Sequence, residues 1–319
     1  MKKLSVSAVL IMLSVSANAK GINPKVVYQE DDRIEVEDAP AALQALAAGT
    51  VTQIKTSNLV AEGESSFKYK SAKISSTMNL CSDERFSDQP NPGNCSGFLV
   101  APDLVVTAGH CIYLRGNENG ELGCSDYSYV FDFHTGKIED GLISKEKVYN
   151  CKKVLNIALD GASKRDFALI QLDRPVTDRE PLKIRSEGKI DEKAPLVVIG
   201  APSGLPTKIA GGAVVQGNDN DVYFRANLDT FGGNSGSAVF NADTGEVEGI
   251  LVRGATDYVM DWSRFCRAVN KCDDISDANF SCMGEEVTRI NQVEIQKYLT
   301  NQSSESETQT TEPAVALLP

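Results

Sequence analysis

The sequence predicts an all-β fold that ends in one helix, and two observations lead to this prediction. Short apolar runs recur from Cys95 onward, and Gly, Pro, Asn and Asp residues separate them. Only Glu285–Leu299 has helical spacing, with Val287, Ile290 and Val293 toward one face. Short strands at close spacing, joined by tight turns, are typical of a β-barrel or a β-sandwich.

The individual elements follow from these runs in chain order. Residues 40–62 are small and apolar with few turn residues, and they predict either strand or helix. A first hairpin joins Phe98–Val100 to Leu104–Val106, and a second joins Ala238–Phe240 to Val247–Val252. Further short strands are predicted at Tyr127–Phe133, Phe167–Leu172, Leu196–Ile199, Ala213–Val215 and Val222–Phe224.

Residues 1–19 predict a secretory signal peptide. Lys2 and Lys3 form its charged start, and Val6–Val15 forms a short apolar core. Ala17–Ala19 supplies the small residues of a cleavage site. The apolar run is shorter than the ~20 residues that a membrane span needs, so a membrane anchor is disfavoured. We therefore expect a secreted protein, extracellular or periplasmic, without a membrane span.

The rest of the chain divides into a short pro-segment, one large domain and a tail. Residues 20–25 follow the cleavage site, and we expect a processing cut between Lys25 and Val26. Residues 26–300 form the predicted domain. Residues 301–319 begin with a Ser-, Thr-, Glu- and Gln-rich stretch that cannot bury a core, so we expect a disordered tail.

Charge and histidine content disfavour several classes of function. The 319 residues carry a formal net charge of −12, which argues against nucleic acid and against an anionic membrane surface as partners. The chain has two histidines, His110 and His134, and no Cys-x-x-Cys pair, so a zinc site is disfavoured. We expect neither metal nor cofactor, and a monomeric protein.

Eight cysteines predict disulfides, because an exported protein folds in an oxidising compartment. Cys95 and Cys111 flank the first hairpin, and we expect a bond between them that fixes the loop after it. We also expect Cys124 to pair with Cys151, because the two are close in sequence. The other four cysteines allow three connectivities, which stay open: Cys81, Cys266, Cys272 and Cys282.

Three separate segments carry the residue types of nucleophilic catalysis. Gly233–Ser237 (Gly-Asn-Ser-Gly-Ser) places a serine between glycines, where the backbone can turn sharply and aim N–H groups at a developing oxyanion. His110 lies upstream within Thr107–Cys111, and Asp166 lies between the two at the start of an apolar run. The order His, Asp, Ser is one of the known chain orders of the catalytic triad.

Each residue has a defined role in such a triad. His110 is predicted to act as a base toward Ser235 and then as an acid toward the leaving amine. Asp166 is predicted to accept the second imidazole N–H, to hold the tautomer and to stabilise the imidazolium. The backbone N–H groups of Gly233 and Ser235 are predicted to form the oxyanion hole.

The three segments resemble those of the chymotrypsin-like (trypsin-fold) serine proteases, and the resemblance extends over residues 26–300. The Gly-Asn-Ser-Gly-Ser string is similar to that of the bacterial glutamyl endopeptidases, as is Val26–Arg33, the expected start of the mature chain. The resemblance implies two six-stranded antiparallel β-barrels divided near residues 175–195, a site in the cleft between them and a C-terminal helix.

Three positions depart from the pattern of this family. Asn234 stands where trypsin has the aspartate that pairs with the new N-terminal amine, so the usual activation ion pair is not available in that form. Val252 stands where related enzymes have a serine that supports the triad aspartate. Arg253 replaces a tryptophan beside the substrate strand, and the resemblance implies that Arg253 and Gly254 bind substrate.

The resemblance leaves two possible primary specificities. Asp229 lies six residues before Ser235, the offset of the trypsin pocket carboxylate, and a carboxylate there would select Arg or Lys. Alternatively, Asp229 is a turn residue that faces solvent. The glutamyl branch has a pocket histidine on the strand at 249–254, where this chain has Leu251, and its spare His134 lies in the first half. We therefore predict cleavage after Arg or Lys, with glutamyl specificity as the alternative.

Together these features predict an exported serine endopeptidase that acts on proteins or peptides through an acyl-enzyme. One alternative is an exported, catalytically weak binding or regulatory protein on the same fold, which the intact triad disfavours. Another is a structural outer-surface protein, indicated only by the acidic tail. At the residue level, His110 could be a buried core histidine, and Asp160 or Asp173 could take the place of Asp166.

Overall fold

The computed structural model describes residues 27–113, 119–138, 140–273, 275 and 282–299. The predicted signal peptide, pro-segment and tail lie outside these residues, as do Lys25 and Val26. Strands predominate in the described part of the chain, and its helices are short. The helices are α1 (Ala41–Ala48), α2 (Ile74–Met78), α3 (Glu121–Asp126) and α4 (residues 296–299).

Both predicted hairpins are present, and residues 40–62 contain helix as well as strand. The strands in chain order are β1 (Val27–Tyr28), β2 (Arg33–Glu35), β3 (Thr50–Lys55), β4 (Leu59–Glu62), β5 (Ser66–Tyr69), β6 (Gly93–Ala101), β7 (Leu104–Thr107), β8 (Tyr127–Phe131), β9 (Leu142–Ser144), β10 (Val148–Asp160), β11 (Arg165–Leu172), β12 (Pro195–Gly200), β13 (Lys208–Gly217), β14 (Tyr223–Ala226), β15 (Ala238–Asn241), β16 (Val247–Arg253), β17 (Tyr258–Asp261), β18 (Cys266–Val269), β19 (Lys271–Cys272) and β20 (Glu285–Arg289).

The first barrel is closed and consists of six antiparallel strands in the order β10, β11, β7, β6, β3 and β8. Successive side chains of a strand point to opposite faces, so an alternating apolar pattern fills the inside of such a barrel. Leu99, Val105, Tyr129 and Ile170 belong to its buried interior.

The second barrel has the strand order β12, β15, β16, β20, β14 and β13, and pairing of β12 with β13 closes it. Leu196, Phe224, Val239 and Val287 lie buried inside. β2 pairs with β13 along its outer side, so this barrel holds the N-terminal segment. The two antiparallel barrels confirm the fold class that the sequence predicts.

The prediction of one helix over Glu285–Leu299 is wrong for its first part. Glu285–Arg289 is β20, which pairs with β14 on one side and β16 on the other. Val287, Ile290 and Val293 are buried as the pattern required, but a strand followed by a 3-10 turn brings them to the core. Pairing on both edges overrides the local helical spacing, and the C-terminal helix is reduced to α4.

A shared apolar core joins the barrels and fixes the cleft between them. Phe98 and Leu169 of the first barrel lie in one buried cluster with Ile199, Phe240 and Ile250 of the second. Because protein interiors are close-packed, this cluster leaves the two barrels little freedom to shift. The polar residues of the candidate site lie along the edge of this seam.

Four disulfides link the described cysteines, none of which is free. Both predicted pairs, Cys95–Cys111 and Cys124–Cys151, are bonded. The pairs that the sequence left open are Cys81–Cys266 and Cys272–Cys282. Within the described ranges, no helix has the length and apolar character to cross a membrane.

Candidate active site

His110 and Asp166 form a hydrogen-bonded pair at the edge of the first barrel. His110 lies in a 3-10 turn directly after β7, and Asp166 is the second residue of β11, which pairs with β7. The Asp166 Oδ2 lies 2.9 Å from the His110 Nδ1, and its Oδ1 accepts the His110 backbone N–H at 3.1 Å. Asp166 is buried, so its carboxylate favours the tautomer with the proton on Nδ1 and leaves Nε2 as a base.

The turn that holds His110 depends on its two neighbours in the chain. A Cβ on Gly109 would lie 2.2 Å from the Ala158 carbonyl oxygen, so only glycine lets the turn approach β10 this closely. Cys111 is bonded to Cys95 on β6, which ties the other side of the turn to the barrel. The imidazole therefore projects from a backbone that is fixed on both sides.

The loop around Ser235 is a sharp turn built on two glycines. Gly233 has a φ of +93° and Gly236 a φ of +89°, and a Cβ on Gly236 would lie 2.1 Å from the Ser96 carbonyl oxygen. The buried Asn234 side chain closes the loop from inside: its Oδ1 accepts the Phe231 N–H at 3.1 Å. At this position an amide stabilises the loop through local hydrogen bonds.

Cross-barrel contacts bring this loop to the His110 turn. The Ser96 N–H of β6 donates to the Ser235 carbonyl at 2.8 Å, and the same carbonyl oxygen lies 3.6 Å from the Cys111 Sγ. Among the hydrogen bonds of the described residues, none joins the Ser235 Oγ to His110, a contact that often tightens only when substrate binds. The structure thus brings His110, Asp166 and the Ser235 loop to one edge of the cleft.

The two N–H groups predicted for the oxyanion hole are free to act. Within the described part of the chain, the N–H groups of Gly233 and Ser235 donate to no acceptor, whereas those of Asn234, Gly236 and Ser237 are all engaged. Unpaired donors held on a rigid turn are what a developing oxyanion requires.

A cavity of about 260 Å³ opens beside Ser235. It contains two of the predicted substrate-binding residues, Arg253 and Gly254, and two acidic side chains that the sequence analysis did not select. Its lining comprises Thr230, Phe231, Gly232, Ser235, Leu251, Val252, Arg253, Gly254, Ala255, Asp257 and Glu285.

The two acidic side chains are held in place by backbone and hydroxyl donors. Glu285 is 3% exposed; its Oε2 accepts the Thr230 hydroxyl at 2.6 Å and its Oε1 accepts the Ala255 N–H at 3.1 Å. Asp257 accepts the Gly232 N–H at 2.8 Å. Burial raises the pKa of Glu285 to about 8 and that of Asp257 to about 6. In the described residues, no Lys or Arg forms an ion pair with either carboxylate.

Asp229 does not line this cavity, which corrects the prediction that it forms the pocket floor. Its Oδ1 accepts the Tyr28 N–H at 2.8 Å and its Oδ2 accepts the Asp32 N–H at 2.9 Å, so the carboxylate faces the N-terminal segment. It is neither a solvent-facing turn residue, because it is 3% exposed, nor a cavity residue. Burial raises its pKa to about 7.

The remaining sequence candidates have structural roles. His134 lies away from the cavity, where its Nδ1 is 2.6 Å from the Glu37 Oε1. Asp160 accepts the N–H groups of Ala162 and Ser163 in the turn between β10 and β11. The sequence did not indicate Glu285, because it lay at the start of the supposed helix and the segment Glu285–Arg289 (Glu-Glu-Val-Thr-Arg) contains no motif of a pocket.

Comparisons with known proteins give one family match and several similar solved structures. Residues 95–250 match the family model of the trypsin-like peptidase domain, which confirms the resemblance found in the sequence and supports a serine protease in general. Among solved structures, a Glu endopeptidase is similar at 17% identity with a TM-score of 0.48, over 86% of this chain and 98% of that chain. The VesB protease of Vibrio cholerae is similar at 12% identity with a TM-score of 0.48, over 86% of this chain and 67% of that chain. No curated protein sequence matches this chain.

Proposed function

We propose that this chain is an exported serine endopeptidase that cleaves proteins or peptides after Arg or Lys. The observation that carries the proposal is the hydrogen-bonded pair of His110 and the buried Asp166 beside the glycine-rich Ser235 loop. A nucleophile, a base and a group that orients the base are the three parts that covalent acyl transfer requires.

The proposed reaction proceeds through an acyl-enzyme. The Ser235 Oγ attacks the substrate carbonyl while the His110 Nε2 takes the hydroxyl proton, and Asp166 stabilises the imidazolium. The N–H groups of Gly233 and Ser235 bind the oxyanion. His110 then protonates the leaving amine, and a water activated by the same imidazole hydrolyses the ester and restores Ser235.

The cavity beside Ser235 supports a cationic side chain at the residue before the scissile bond. The half-buried Asp257 and the buried Glu285 form no ion pair with a Lys or Arg among the described residues, and a carboxylate held away from water without one is unfavourable. An Arg or Lys side chain of the substrate would supply the missing charge, with Arg able to bind a carboxylate through two hydrogen bonds. A substrate glutamate would meet repulsion there, which disfavours the glutamyl alternative.

The proposal includes export and processing after Lys25, a bond of the type that such an enzyme would itself cleave. Next to the expected new terminus, the Val27 N–H donates to the Asn270 carbonyl at 2.6 Å and β1 pairs with β19. N-terminal sequencing of the secreted, active protein should begin at Val26. Full activity of a protein that begins at Lys20 would show that this cut is not needed.

The test of the reaction is covalent labelling and turnover of the mature protein. Ser235→Ala and His110→Ala should each lower kcat by several orders of magnitude, and the double variant should be little worse because the triad acts as a unit. A fluorophosphonate should label the wild-type protein on Ser235. His134→Ala and Asp160→Asn are matched controls that should retain activity.

Two results would favour the alternatives. Absence of labelling and turnover in a folded, processed protein would favour a binding or regulatory protein on this fold. Equal cleavage after Glu and after Arg would contradict the substrate class while leaving the serine mechanism intact. Activity of Ser235→Ala close to that of the wild type would end the whole proposal.

A further inference from the structure

We propose that Arg253 is a positioning residue of the catalytic pair: its guanidinium bridges the two barrels and holds a positive charge beside Asp166, which opposes protonation of His110. This inference rests on the proposed function, because it assigns the residue a role in that reaction. The sequence comparison had placed Arg253 beside the substrate, where related enzymes have tryptophan.

Arg253 makes three contacts, one with each of three structural elements. It ends β16 of the second barrel, and its Nε donates to the Glu286 Oε2 of β20 at 2.6 Å. Its Nη2 donates to the Lys164 carbonyl at 3.0 Å, and its Nη1 lies 3.7 Å from the Asp166 Oδ2. The planar guanidinium thus connects the second barrel to the start of β11 in the first.

The contact with Lys164 fixes the backbone that carries Asp166. Lys164 has a φ of +63°, a left-handed conformation that is uncommon for a residue with a side chain. Its carbonyl is held by Arg253 two residues before Asp166, at the point where the chain enters β11. Loss of the guanidinium would release this turn and loosen the carboxylate that orients the imidazole.

The contact with Asp166 has an electrostatic effect of its own. The same oxygen, Oδ2, lies 2.9 Å from the His110 Nδ1 and 3.7 Å from the Arg253 Nη1. When the imidazole takes up a proton, two cations share one carboxylate, and like charges at this range disfavour the protonated form. The fixed guanidinium is therefore a like charge that the imidazolium meets across the Asp166 carboxylate.

The other charged groups around the pair leave this effect in place. Glu286 of β20 is paired with Arg253 and partly offsets its charge. Arg165, next to Asp166 on β11, turns its Nε to the Gln292 Oε1 at 3.2 Å. Asp160 lies opposite Arg165 at the same end of the hairpin, and its carboxylate accepts the N–H groups of Ala162 and Ser163 in the turn. Among the ion pairs of the described residues, those with His110 and Arg253 are the ones that reach Asp166.

The first test is the pH dependence of kcat/KM for Arg253→Met, Arg253→Lys and Glu286→Gln in the mature protein. In Arg253→Met the acidic limb of the pH profile should move to higher pH by about 0.5–1 unit, and kcat should fall, whatever change in KM follows from its place in the cavity lining. Arg253→Lys keeps the positive charge but loses the planar set of guanidinium donors. Its acidic limb should therefore stay near the wild-type position, although kcat should fall. Glu286→Gln keeps the Arg253 guanidinium, so the acidic limb of the pH profile should not move to higher pH.

The second test does not depend on activity. The imidazole titration of His110 can be followed by NMR in the Ser235→Ala background, with His134→Ala to assign the only other histidine. Arg253→Met should raise the midpoint of the His110 titration by about as much as it moves the acidic limb of the pH profile. If the protein with Ser235 intact showed no turnover and Arg253→Met still raised this midpoint, the proposed function would be refuted and this inference would stand. Two results together would overturn the inference: an unchanged midpoint of the His110 titration in folded Arg253→Met, and an unmoved acidic limb of its kcat/KM profile with a raised KM. Arg253 would then be a substrate contact.

Discussion

In the proposed substrate pocket, Glu285 is the residue whose substitution should change substrate choice most. Its two oxygens accept the Thr230 hydroxyl and the Ala255 N–H, and a glutamine could keep both contacts, with its amide donating to the hydroxyl. Glu285→Gln should therefore fold but lose one carboxylate of the cavity. We expect kcat/KM for peptides with Arg before the scissile bond to fall about 100-fold or more. For peptides with a neutral residue at that position, kcat/KM should fall much less.

A panel of peptide substrates that differ only in the residue before the scissile bond measures this change. Asp229→Asn is the matched control, since Asp229 is also a buried acid but faces Tyr28 and Asp32. Asp229→Asn should change the stability of the protein. It should not change the ratio of kcat/KM for Arg peptides to kcat/KM for peptides with a neutral residue at that position. If Asp229→Asn lost the preference and Glu285→Gln kept it, the assignment of the pocket would be wrong.

At this scale, sequence reasoning predicted how the three triad segments come together better than it predicted the lining of the cavity. His110, Asp166 and Ser235 lie in strings whose glycines and strand ends restrict the geometry, and the structure brings the three segments together. The pocket depends on strand register, because a shift of one residue turns a side chain to the other face. Asp229, however, lies in the irregular segment after β14 and faces the N-terminal segment, and Glu285 was not foreseen because its spacing predicted a helix.

Among the elements, the Ser235 loop is the one most sensitive to a single added carbon. Gly236→Ala would place a Cβ 2.1 Å from the Ser96 carbonyl oxygen at a φ of +89°, so the loop or β6 must move. We expect a loss of about 2 kcal/mol or more in the free energy of unfolding and a near-complete loss of turnover.

Thermal denaturation and active-site labelling together measure this effect. Gly161→Ala is the matched control, because a Cβ there would meet no atom within 4 Å. The control should change neither the melting temperature nor the labelling. Wild-type turnover in Gly236→Ala would mean that the loop does not need its present backbone conformation.

The elements also indicate where local patterns suffice. The hairpins β6–β7 and β15–β16 were predictable because an alternating run, a tight turn and a second run specify them locally. β20 was not, since its partners β14 and β16 are distant in sequence and its apolar spacing also fits a helix. Long-range pairing is the information that the local pattern lacks.

Two buried acids and one half-buried acid of the molecule have raised pKa values and should govern how its stability depends on pH. Burial raises the pKa of Asp229 to about 7, of Asp257 to about 6 and of Glu285 to about 8. The folded state therefore binds more protons than the unfolded state between about pH 4 and pH 8, so the free energy of unfolding falls as pH rises through this window.

Melting curves of the Ser235→Ala variant at pH 5 and pH 8 would measure this trend without self-digestion. We expect a melting temperature several degrees higher at pH 5, and Glu285→Gln should recover about 1–3 kcal/mol at pH 8 because it removes one buried charge. A melting temperature that is equal or higher at pH 8 would show that other groups dominate.

The Cys81–Cys266 bond makes the chain tolerant of being cut in two. It spans 185 residues, whereas the other three bonds each lie within one half of the chain. The connection between the barrels contains exposed basic residues such as Lys189 and Lys193, which an enzyme of the proposed specificity would attack. After such a cut the protein should run as one band on a non-reducing gel and as two bands after reduction. The double variant Cys81→Ala/Cys266→Ala, cut in the same way, should give two bands on both gels. The nicked enzyme would then persist as an active two-chain form, so ageing of a secreted preparation need not mean its inactivation.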